Sequence, residues 1–102
     1  MNKIDEMLSL YELSTEDSIV SQLPGSIHED EIRKYCWLIL RTYPDLKKEI
    51  WQVGIEGGDY IYSFGGNYIF ISDDIWSFNL IAKKAVLEEL TAEILSLKAK
   101  ES

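Results

Sequence analysis

Few side chains in this sequence have the type and spacing that catalysis requires. His28 is its one histidine, and it stands directly before Glu29-Asp30-Glu31. On type alone an imidazole beside carboxylates could exchange protons. The same residues also read as a helix start, because acids in a first turn complement the helix dipole. Asp73-Asp74 is a second carboxylate pair, suited by type to proton transfer or to a hard cation. Adjacent acids at a strand-to-helix junction are far more often a cap, and capping is the reading taken.

The remaining motifs point away from chemistry. The single cysteine, Cys36, leaves no intramolecular disulfide and no cysteine-based zinc site. It sits in the apolar run Cys36-Trp37-Leu38-Ile39-Leu40 and reads as a small core side chain. Gly57-Gly58 and Gly65-Gly66 lack the Lys-Ser/Thr of a phosphate loop, and a strand rather than a helix follows each. No metalloprotease helix, nucleophile elbow or dinucleotide fingerprint occurs. The expectation is a protein without catalysis, cofactor or metal, and an enzyme centred on His28 ranks third among the readings.

The charge distribution says more. The formal net charge is −8, and eight acids against Lys3 alone place −7 of it in residues 1–31. Such a surface repels phosphates, which argues against direct binding to nucleic acid or to an anionic membrane. It favours a basic protein partner, with Glu12, Glu16, Asp17, Glu29, Asp30 and Glu31 as the candidate contact residues. No apolar stretch approaches the length of a membrane span. Met1-Asn2-Lys3-Ile4-Asp5 lacks the basic and apolar regions of a signal peptide, so a cytoplasmic location is expected.

These residues need elements to position them, and 102 residues of ordinary composition fit one domain over 1–102. Ile4, Met7, Leu8, Leu10 and Tyr11 lie close to helical spacing. Ser14-Thr15-Glu16-Asp17 opens a short helix carrying Ile19, Val20 and Leu23, and Pro24-Gly25 ends it. Ser26 with Glu29 has capping-box spacing, and Ile32, Tyr35, Cys36 and Ile39 form the stripe of a third helix. Pro44 breaks that helix, with a further turn or two expected up to Ile50.

From there the pattern alternates. Residues 57–64 (Gly-Gly-Asp-Tyr-Ile-Tyr-Ser-Phe) echo residues 65–72 (Gly-Gly-Asn-Tyr-Ile-Phe-Ile-Ser), which predicts two glycine hairpin turns and a three-stranded antiparallel meander. Two-residue turns put Trp51, Val53, Ile55, Tyr60, Tyr62, Phe64, Ile69 and Ile71 on one buried face. Gln52, Ile61, Ser63, Tyr68 and Phe70 fall on the other. Tyr68 and Phe70 exceed what a solvated face needs, so they join the candidate partner-binding residues.

Asp73-Asp74 is expected to cap a helix from Ile75 to Lys98. Its second half shows a narrow apolar seam, Leu87, Leu90, Ile94 and Leu97, which either the N-terminal helix or a second copy in a homodimer would cover. The fold class is therefore α+β: N-terminal helices, a three-stranded antiparallel meander and a long C-terminal helix. The leading functional expectation is an acidic protein-binding domain, an inhibitor or immunity-type protein that blocks a basic surface of a nucleic-acid-processing partner. The alternative is an accessory or self-associating subunit that works through its C-terminal helix.

Overall fold

The computed structural model describes residues 3–101. The leader reading at Met1 and Asn2 lies outside that range. The elements run α1 (Lys3–Leu10), α2 (Ile19–Gln22), α3 (Glu29–Leu40), β1 (Lys47–Val53), β2 (Gly57–Phe64), β3 (Asn67–Asp74), β4 (Phe78–Ala82) and α4 (Lys84–Glu101). The four strands form one antiparallel sheet in the order β1-β2-β3-β4. The α+β class and the meander hold, with one more strand than the three expected.

The extra strand comes from residues expected to start the long helix. Phe78, Leu80 and Ala82 point to one face of the sheet, while Asn79 and Ile81 point to the other. Both sheet faces are covered, so the strand is apolar at every position but Asn79 and resembles the flank of a buried helix. The helix itself begins at Lys84 and spans 18 residues, roughly 27 Å at 1.5 Å per residue. The turn expected between Pro44 and Ile50 is likewise strand from Lys47 onward.

Two layers of helix enclose the sheet. On one face, α2, α3 and α4 pack Ile19, Ile32, Tyr35, Ile39, Leu40, Leu87, Leu90 and Ile94 against Phe64, Ile69, Ile71, Phe78 and Leu80. On the other, α1 and the residues after it place Met7, Leu8 and Leu13 over Ile61, Phe70 and Ile81. The face expected to be mixed is thus a second core. Phe70 belongs to it at 2 % exposure and offers no surface to a partner.

Glu12 makes that second core reachable. Its φ of 58° is left-handed, and the Leu13 N–H then donates to the Leu8 carbonyl at 2.8 Å. This closes α1 as helix C-termini commonly close and swings Leu13 back under the sheet.

The register between β1 and β2 matches the expected alternation: Trp51 lies opposite Tyr60, and Tyr60 opposite Ile71. Burial does not follow for β1. Trp51 and Val53 are more than half exposed and Ile55 is fully exposed, because β1 is the outermost strand and the helices sit over β2, β3 and β4.

Gly65 and Gly66, with φ of 56° and 78°, form the tight β2–β3 turn that only glycine accepts readily at both positions. The other glycine pair does not form a turn. Gly54-Ile55-Glu56 makes the β1–β2 loop, and Gly57 opens β2 where a Cβ would meet the Asp73 carbonyl oxygen at 2.3 Å. Close approach of backbone, rather than turn geometry, requires glycine there.

The seam on α4 is internal. Leu87, Leu90 and Ile94 are at most 2 % exposed, and Leu97 packs partly buried beside them. Neither of the two expected covers is used. The helix α1 lies on the opposite face, and the seam meets α2, α3 and the sheet of its own chain.

The second core yields a direct test. Phe70→Ala should destabilise the fold by about 3–5 kcal/mol in urea unfolding. Trp51→Ala, on the exposed strand, should stay within about 0.5 kcal/mol of wild type. Equal losses would show that α1 does not hold that face.

Candidate functional site

The strands divide the surface residues between two ends of the sheet. At one end lie the β2–β3 turn and the ends of β4 and α1. Here Lys83 Nζ meets Glu12 Oε2 at 3.6 Å, and the Asp17 carbonyl accepts from the Ala82 N–H at 3.2 Å. Tyr68 packs against Tyr11 with ring centroids 4.6 Å apart and the ring planes tilted by 44°. Glu12, Glu16 and Asp17 therefore collect at this end, with Lys83 among them.

At the other end the β1–β2 and β3–β4 loops meet the start of α3. Glu29 Oε2 accepts from the Phe78 N–H at 3.4 Å, and Arg33 binds the Ser77 carbonyl at 3.1 Å. Glu29, Asp30 and Glu31 belong to this end. The acidic first third thus contributes to two separate surfaces instead of one. Several of its charges are also matched internally: Asp30 by Arg33 at 2.9 Å, and Glu31 by Lys98.

Arg33 is the fastening of this second end, which we call the tip. Its Nε donates to Asp73 Oδ1 at 2.8 Å and its Nη1 to Asp30. Its Nη2 donates to the carbonyls of Asp74 at 2.7 Å and Ser77 at 3.1 Å. One turn along α3, the Trp37 indole N–H donates to Asp73 Oδ2 at 3.0 Å. Asp73 is therefore an anchor for α3. Asp74, expected to cap a helix, instead organises the β3–β4 loop by accepting the N–H groups of Trp76 at 2.8 Å and Ser77 at 2.7 Å. These bonds to the ionised form hold its carboxyl below the ordinary value.

The loop so formed presents Ile75 and Trp76 outward, at 67 % and 75 % exposure. The β1–β2 loop is tied to it. The Ile75 N–H donates to the Glu56 carbonyl at 2.9 Å, and the Trp76 indole N–H to Glu56 Oε2 at 3.2 Å. Val53, Ile55, Ile75 and Trp76, four of the ten large apolar side chains exposed among the described residues, belong to this end, and Trp51 adjoins them further along β1 with Lys48 Nζ 5.2 Å from its ring centre. An open recess of about 410 Å³ lies among Val53, Ile55, Glu56, Asp59 and Asp74.

Trp76 escapes notice in the sequence because it falls on the same 3–4 spacing as Leu80 and Leu87. A signal was present: two large apolar residues between Asp74 and Ser77, where an aspartate turn joins two strands.

His28 is exposed and is the first flanking residue of α3, two positions later than the Ser26 cap expected, and its backbone N–H donates to Glu31 Oε1 at 3.4 Å. Cys36 is buried, which pushes its thiol up to about 12 and leaves it inert. Tyr35 donates its hydroxyl to Glu101, and this bond, with burial adding, pushes its own ionisation up to about 12. Among the described residues, no group of three or more His, Cys, Asp or Glu is placed to hold a metal ion, and no helix is long and apolar enough to cross a membrane. Comparison with protein-family models, with curated proteins and with solved structures finds no match.

Two measurements check this account. Arg33→Ala strands two carboxylates and two carbonyls at once and should lower stability by about 2 kcal/mol. Removing the exposed Lys83–Glu12 pair should change it by less than about 0.5 kcal/mol. Stability should also respond to acid. Glu31 is held below its ordinary 4.5 by the hydrogen bond from Lys98, and Glu101 below the same value by those from Tyr35 and Lys34. A carboxylate depressed in the folded state stabilises above its unfolded value, and that contribution is lost as pH falls through the folded one. The urea midpoint should thus drop on acidification below pH 4.5, and less steeply for Glu31→Gln than for wild type.

Proposed function

We propose that this chain is a non-catalytic protein-binding domain. It takes a basic protein surface on its tip, of the kind that nucleic-acid-processing proteins carry, and acts by occupying that surface. The supporting observation is the concentration of Val53, Ile55, Ile75 and Trp76 at one end of the sheet, with Trp51 adjoining, beside Glu29, Asp30, Glu56, Asp59 and Asp74. Exposed apolar side chains cost solubility wherever they gather, and a rimmed patch of them is the usual form of a binding site.

The tip also has the rigidity that a binding anchor needs. Glu56 and Asp74 hold Trp76 from two sides, so little ordering remains to be done on contact. Tryptophan in such a position is the residue type most enriched among interface hot spots. The carboxylates around it supply long-range attraction for a basic partner and reject an acidic one. Self-association through α4 has less to recommend it, since Leu87, Leu90 and Ile94 already lie inside the chain's own core.

The test is a capture from host extract with wild-type and Trp76→Ala baits run in parallel and read by mass spectrometry. The partner expected is a basic protein retained by wild type and weakened on the order of 30-fold by Trp76→Ala, once purified and titrated. Its binding should weaken with salt, as screened attraction does. A Glu12→Lys, Glu16→Lys bait should retain it, because those residues lie at the far end. Equal recovery by the Trp76→Ala bait would overturn the assignment.

A further inference from the structure

The two edges of the sheet are treated differently. At β4 the edge is closed: Ser18 bridges to Ile81, the Ala82 N–H is taken by the Asp17 carbonyl, and Ser18 Oγ donates to Asn79 Oδ1 at 2.6 Å. At β1 the only ladder among the described residues is the one to β2. An unpaired edge of this kind is a template for another strand unless something blunts it.

Half of β1 is blunted. Lys47 and Lys48 are exposed, and the register breaks in a bulge between Lys48 and Ile50. Edge lysines and bulges are the means by which sheets refuse further strands. The other half has no bulge and no lysine of its own, and the Lys48 ammonium reaches only to the Trp51 ring, 5.2 Å from its centre. Trp51, Gln52 and Val53 run in regular register with Tyr60, Asp59 and Gly58, carry no charge and are exposed. This open stretch leads directly into the recess lined by Glu56, Asp59 and Asp74.

We propose that the partner enters as an extended segment that pairs with the Trp51–Val53 half of β1 and adds a fifth strand to the sheet, its lysine or arginine side chains lying at the end beside Glu56, Asp59 and Asp74. This rests on the tip reading above and gives the partner's form. Main-chain hydrogen bonds supply affinity in such strand addition, and alternate side chains supply specificity. Trp51 and Val53, on one face, offer apolar contact to alternate residues of the incoming segment. Lys47 and Lys48 at the blunted end repel further basic residues, which limits the pairing to a few positions and fixes which end of the segment is basic. A second copy of this chain is a poorer occupant. Two chains of net charge −8, meeting with their carboxylate-lined ends together, repel one another where a basic segment is attracted.

The probe is a synthetic hexapeptide with valine at alternate positions and two lysines at one end, made with the lysines at either terminus. Two further versions carry N-methyl groups on one or the other alternating set of backbone amides. In nuclear magnetic resonance of the full chain, the parent peptide should slow amide exchange within Trp51–Val53 by about tenfold. One methylated version should lose this protection and the other keep it, because a strand pairs through only one of its two edges. The strand proposal is overturned if both methylated versions match the parent, or if millimolar peptide protects no amide of β1. If β1 stays unprotected while the Trp76→Ala bait loses the captured protein, the tip reading stands and strand addition falls. If β1 is protected in that phase-dependent way while the Trp76→Ala bait keeps its protein, the edge stands and the tip reading falls.

Discussion

The structure turns on a sheet that is apolar on both faces. Ile61, Phe70 and Ile81 point one way, and Phe64, Ile69, Ile71 and Leu80 the other, from the same three strands. Neither set tolerates water, since each such side chain is worth roughly 1.5–3 kcal/mol when covered. The helices must therefore supply two layers. One is the short α1 with Leu13, and the other is the assembly of α2, α3 and α4. That leaves too little helix for a fourth strand. β1 remains at the margin, with Ile50 alone of its apolar side chains drawn toward the second core. The exposed apolar residues at the tip are thus a consequence of where coverage ends.

Arg33 decides that this margin is shaped and not loose. Its guanidinium serves Asp30, Asp73, Asp74 and Ser77, which belong to three features of the fold: the start of α3, the end of β3 and the loop beyond it. A planar fork with five donors can satisfy such a set simultaneously, whereas a lysine ammonium cannot. The side chain also lies 6.0 Å from the Phe78 ring, so the charged group closes the apolar core at the place where the tip begins. Core and candidate surface are joined through this one residue.

How much of this could be read from the residues depended on how local each feature is. The stripe of α3 and the Gly65-Gly66 hairpin follow from spacing within a few residues, and both are present as expected. The helix expected from Ile75 failed because Phe78–Ala82 is buried on both faces, which erases the alternation that marks a strand. The burial expected of Trp51 and Val53 failed for a different reason. Alternation identifies which side chains share a face, but not whether a helix is there to cover it. At the candidate site, Glu29 and Asp30 were visible as charges. Ile55, Glu56, Ile75 and Trp76 were not, because they converge only when two separate hairpins finish at the same end.

The closure of α4 over α3 has a consequence for the order in which the fold assembles. Lys98 reaches back to Glu31, and Glu101 to Lys34 and Tyr35, across sequence separations of 67, 67 and 66 residues. Arg33 and Asp73 are 40 apart. Contacts of such range are entropically expensive to nucleate and slow a chain relative to one held by neighbouring turns. During synthesis α3 emerges early with Asp30 matched by its own Arg33, while Glu31 waits for Lys98 until nearly the whole chain has followed. The helix α3 is made first, fastened to the tip once Asp73–Ser77 follow, and locked by α4 last.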